Sequence, residues 1–158
     1  MSTNVFLRIG ISSSQLSIQR EDEDLEVRDI RLGTGLLAAQ CFRHAPPTAI
    51  ESERAIEVVE DAIMPHTPLH DGFANLYNHD TLTLKIAELA EATEGFLSID
   101  QLERVFERYA AISLGRPTTQ DVIPKSAAFA AHLIMLREVM HHMKFSGIHL
   151  SGGPKNRQ

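Results

Sequence analysis

The sequence predicts an α+β domain, on three observations. Apolar and polar residues alternate through residues 5–32, the period of half-buried strands. After Gly33 the apolar spacing changes to three and four residues, the period of amphipathic helices. Two capping boxes, Thr48 with Glu51 and Ser98 with Gln101, mark helix starts inside that second region. The expected architecture is a small antiparallel N-terminal sheet of about three to five strands, packed against four or five helices.

In the first strand Val5, Leu7, Ile9 and Ile11 share one side. Ser12–Gln15 supply turn-formers, and Leu16 and Ile18 resume the alternation, which reads as a hairpin. Arg20–Asp24 is a polar connection. In residues 25–32 the phase slips, with Leu25 and Val27 odd but Ile30 and Leu32 even, so a bulge is expected near Arg28–Asp29.

The helices follow in order. A short one is expected over Leu36–His44, entered through a glycine turn with Thr34 as cap and ended by Pro46 and Pro47. The Thr48 box opens a second, with Ala55, Ile56, Val58, Val59, Ala62 and Ile63 as its apolar stripe. Glu53, Glu57, Glu60 and Asp61 form its solvated face, and Pro65 stops it. Residues 72–77 read as a short strand, and Asp80 caps a helix carrying Leu82, Leu84, Ile86 and Leu89. The Ser98 box opens the next helix, and Gly115 follows its end. Residues 116–124 are a loop. The last helix, Ser126–Ser146, is apolar nearly all round in its first half, which marks a central helix or one buried against a partner. Residues 148–150 suggest an edge strand. One domain over residues 1–150 and a flexible tail over 151–158 complete the reading.

Composition bounds the function. The chain has 158 residues, 43% hydrophobic and 23% charged, which suits one soluble globular domain. A net charge of -6 without a Lys/Arg-rich run argues against general nucleic-acid binding. No run is long and apolar enough for a membrane span, and no secretory leader is read. The single cysteine, Cys41, excludes an intrachain disulfide and a multi-cysteine zinc site. An intracellular, cytoplasmic protein is expected.

The residues most able to carry chemistry are His66, His70, Asp71 and His79, with His44 upstream as a further ligand. Imidazole and carboxylate suit zinc or a harder divalent ion, and loop ligands converge without helical spacing. The pairs His70-Asp71 and His79-Asp80 resemble the dyads of HD-type metal phosphohydrolases. They depart from that family in context, because Pro65 and Pro68 forbid the continuous helix that carries such a dyad. Loop residues alone would explain the segment as a connector. Three antiparallel strands followed by a helix also resemble the start of ribonuclease-H-like and sugar-kinase-like folds. There the first strand carries an acidic metal ligand, whereas "VFLRIGIS" has none.

Elsewhere the ordinary explanation is the stronger one. Gly33 and Gly35 give only G-x-G, short of either nucleotide fingerprint. Cys41 lies in an apolar run and reads as buried rather than nucleophilic. His132 reads as a core or interface histidine, and Glu138 and His142, four apart, are placed to pair. Two functional classes stay open. The sequence favours a non-enzymatic accessory, assembly or ligand-binding module that self-associates through the last helix or a sheet edge, with no cofactor. The alternative is a metal-dependent phosphoester hydrolase using the His66–Asp80 region, holding a divalent ion.

Overall fold

The computed structural model describes residues 2–115 and 122–152. Most of the expected 116–124 loop and of the expected C-terminal tail lies outside the described residues. Six strands form one sheet: β1 (Thr3–Ile9), β2 (Ser14–Arg20), β3 (Glu26–Ile30), β4 (Ala74–Tyr77), β5 (Phe96–Ser98) and β6 (Gly147–His149). Among the described residues five α-helices accompany them: α1 (Thr34–Cys41), α2 (Ala49–Ile63), α3 (Thr81–Leu89), α4 (Ile99–Ser113) and α5 (Ala127–His142), with a 3-10 turn at Met64–His66. The strand order is β3-β2-β1-β4-β6-β5. The α+β class holds, but the sheet is larger than expected and mixed. β1, β2 and β3 pair antiparallel, β4 runs parallel to both β1 and β6, and β5 closes the far edge antiparallel.

Pairing across strands assigns the two faces. Ile18, Val5, Leu76, Ile148 and Leu97 lie in one cross-strand row, and each is fully buried. Because side chains alternate, the neighbouring row Val27, Ser17, Phe6, Tyr77, His149 and Phe96 occupies the opposite face. That face is half-exposed, and its rings stack on one another, Tyr77 on His149 at 5.0 Å between centroids.

Several expectations need correction. No bulge interrupts β3: its register with β2 runs evenly from Ser14↔Ile30 to Ile18↔Glu26. The apparent slip arises because Leu25 and Val27, at the sheet edge, are exposed (42% and 51%) and obey no burial pattern. The short helix begins at Thr34, earlier than expected, and Gly33 rather than Thr34 is its N-cap. The 147–149 strand is internal, between β4 and β5, not an edge. The last helix is shorter than expected and is covered within the chain. It packs against α1, α2, α3 and α4, and residues Phe129–Leu136 are all buried. Of the two readings the sequence allows for this helix, the central one is found. Both capping boxes are formed as expected.

Candidate functional site

The β1–β2 turn is built as a rigid unit. Ser14 Oγ donates to Leu32 O at 2.8 Å and accepts from Gly10 N, closing the turn from within. The carbonyls of Gly10 and Ile11 accept the first N–H groups of α1, from Thr34, Gly35 and Leu36. A helix start is an anion-binding end because its first N–H groups lack partners. Here the hairpin satisfies them, so the "LGTG" turn is a docking joint rather than a phosphate cradle. Close approach requires glycine: a Cβ on Gly33 would sit 2.4 Å from the Ile11 carbonyl, and one on Gly10 2.4 Å from Ser13 O.

Beside this joint lies an open concavity of about 490 Å³. Arg8, the serine turn Ser12–Ser14, Asp29 and Asp80 line it. Arg8, Gln15 and Asp29 are cross-strand partners on the half-exposed face, and Gln15 Nε2 donates to Asp29 Oδ1 at 3.4 Å. Asp80 sits at the N-cap position of α3 but makes no side-chain cap bond, contrary to expectation. Its Oδ2 instead accepts from Ile9 N at 2.9 Å and Asn78 Nδ2 at 3.1 Å. A charged acceptor satisfies such a strand-end N–H better than a neutral one.

The expected metal ligands are dispersed among other partners. His70 uses both ring nitrogens: Nε2 bonds Met143 O at 2.9 Å and Nδ1 accepts from Gly72 N. His66 is half-buried, and burial followed by the nearby Arg28 charge lowers its pKa. Asp71 is exposed beside a second concavity of about 370 Å³ shared with Arg20 and Glu23. His79 meets the edge of Phe6, and His44 Nδ1 pairs with Glu51 at 2.8 Å. The segment itself is strapped to the sheet. Arg20 donates to Leu69 O and Arg28 to His66 O, while both bind Glu26 and hold its carboxyl down at about 2.

Among the described residues, three metal-type ligand atoms converge elsewhere: those of Glu60, Glu138 and His142 lie within 4.8 Å of one another. His142 Nε2 is 3.0 Å from Glu60 Oε2 and 3.2 Å from Glu138 Oε1. The expected Glu138–His142 pair is therefore present, and Glu60, its side chain still 38% exposed, joins it from α2. Burial raises the Glu138 pKa against the opposing charge of Arg137, which donates to it at 2.8 Å. The donor set suits a divalent ion. None of these residues lines the hairpin concavity.

Cys41 and His132 behave as ordinary core residues. Burial raises the Cys41 thiol pKa, so no reactive thiolate forms. His132 bonds Thr83 Oγ1 at 2.8 Å and is 2% exposed.

No family model matches the chain, and no curated protein matches it. Solved structures do. The chain is similar to the Aquifex aeolicus PPX-GPPA enzyme with a TM-score of 0.73 and 14% identity, over 96% of this chain and 54% of that one. An exopolyphosphatase from Cytophaga hutchinsonii gives 0.72 and 13%, over 96% and 54%. An exopolyphosphatase-like protein gives 0.72 and 11%, over 95% and 56%. The likeness is one of fold, and this chain spans about half the length of the structures it matches. Among the described residues no helix is long and apolar enough to cross a membrane.

Proposed function

We propose that the chain binds a phosphoryl group at the β1–β2 hairpin and belongs to the phosphohydrolase class, acting on phosphoanhydrides of the polyphosphate type. One observation carries this reading: Arg8 and the Ser12–Ser14 turn share a concavity with Asp29 and Asp80, in a fold similar to exopolyphosphatases. Arg8 would neutralise the phosphoryl oxygens and the exposed Ser12 and Ser13 hydroxyls would donate to them, while Ser14, whose proton goes to Leu32 O, shapes the turn. Asp29, exposed and paired across the strands with Gln15, would orient water, while Asp80 fixes the end of β1. The fold likeness favours the hydrolase alternative over the non-enzymatic module that the sequence alone favours. On this reading the site is the hairpin and not the histidines of residues 66–79.

A divalent ion is a frequent aid to such chemistry. The hairpin residues do not fit one well. The two carboxylates there form no three-ligand group, Arg8 flanks them, and Asp80 already accepts two hydrogen bonds.

Tripolyphosphate and p-nitrophenyl phosphate, offered to the full chain with and without Mg²⁺ or Mn²⁺, test the reading. Turnover that falls at least tenfold in Arg8→Ala is expected. Binding without turnover would return the chain to the ligand-binding class, and no saturable binding at millimolar phosphate would overturn both.

A further inference from the structure

A groove of about 290 Å³ runs between α2 and α4, away from the hairpin residues. Its walls are largely apolar, from Ile56 on α2 and from Phe106, Ala110 and Leu114 at α4. Three hydroxyls break that pattern. Ser52 Oγ, Tyr109 OH and Ser113 Oγ are each shut off from solvent and have no hydrogen-bond partner among the described residues, and all three residues line this one groove. Buried hydroxyls without partners are rare and destabilising, and three in one place require a cause. Helical serines usually relieve themselves on the carbonyl four residues back, and these do not. Tyr109 is 2% exposed, and its ring lies against Phe129.

We propose that this groove binds a small neutral amphiphile, an apolar ring or short chain bearing a single hydroxyl or carbonyl head that meets these hydroxyls. The apolar walls take the body, at the small end of the usual pocket range. A rotamer change at Ser52 or Ser113 turns its hydroxyl towards the head group. Glu53 at the mouth disfavours an anionic head. Burial raises the Tyr109 pKa, so the phenol stays a neutral donor.

The probes are p-cresol and toluene, which differ by the hydroxyl, read by ¹H–¹⁵N chemical-shift titration of the full chain. Saturable shifts clustered on residues 49–56 and 106–114 are expected, with p-cresol at least roughly fivefold tighter, the worth of one hydrogen bond. Tyr109→Phe should reduce that preference, yet raise the ligand-free melting midpoint by about 2–4 °C, because it deletes an unsatisfied group. Ser113→Ala should do the same independently. Shifts that never saturate, or shifts elsewhere, would overturn the site. Equal affinity for the two probes would overturn the head-group assignment. A lowered midpoint in both variants would show that the hydroxyls are already satisfied, and would remove the basis of the proposal.

Discussion

Acidification should weaken this fold through one histidine. His132 lies on α5, and burial pushes its pKa down from 6.5 to about 4, against the opposing pull of the Asp80 charge. Being lowered in the folded state, it leaves the unfolded chain to take up the proton first. Its contribution is therefore whole above pH 6.5 and is lost as pH falls towards 4. The full interval corresponds to about 3 kcal/mol, of which about 2 kcal/mol is already lost at pH 5. That is a large share of a typical domain's stability. Urea unfolding followed by far-UV circular dichroism at pH 8, 7, 6 and 5 measures it. His132→Gln is the control, since glutamine can still bond Thr83 Oγ1 but does not titrate. The wild type should lose about 2 kcal/mol more than the variant between pH 8 and 5. Glu138, with its raised pKa, is common to both proteins and cancels in the comparison. Parallel pH profiles would refute the argument and place a solvated or charged His132 in the folded state.

Three further outcomes follow from single contacts. Gly33→Ala should cost about 1–3 kcal/mol by chemical denaturation, because its Cβ would overlap the Ile11 carbonyl and pry α1 from the hairpin. Thr48→Ala and Ser98→Ala should each cost about 1 kcal/mol, additively, since the two capping boxes share no partner. Arg137→Ala leaves Glu138 buried beside Glu60 with less positive charge, and should destabilise by about 3 kcal/mol, more than Glu138→Gln does. A thermal-melt series ranking the last two in the opposite order would show that the arginine contributes little to that pair.

The parts of the fold legible in the sequence are those set by local pattern. The β1–β2–β3 meander and both capping boxes follow from residues within one or two turns of each other, and each is where the pattern puts it. The four-residue β4 and three-residue β6 are too short to show a period, and nothing local says that β4 runs parallel to β1. Their central position, and hence the size of the sheet, was invisible. The site was obscured for the same reason. Glu60 belongs to a polar helix face by spacing, yet meets His142, 82 residues away. Asp80 precedes a helix and has every mark of a cap, but a backbone N–H 71 residues earlier takes its carboxylate. The histidines of residues 66–79 stand out by composition, but the His70 ring and the carbonyls of His66 and Leu69 hold a connector against α5, β3 and β2.

Asp80 joins the two halves of this picture. Its Oδ2 receives Ile9 N and Asn78 Nδ2, while its backbone N–H donates to Asn78 Oδ1 at 2.8 Å. The floor of the hairpin concavity is thus fixed by a residue at the head of α3. The same carboxylate bears on His132, which bonds Thr83 one turn into that helix. Ionised, Asp80 satisfies the end of β1 and favours a proton on His132, which burial opposes more strongly. The concavity therefore rests on a charged residue whose neighbour on the core side is kept neutral. Such an arrangement anchors the end of β1, the strand that carries Arg8, to the head of α3.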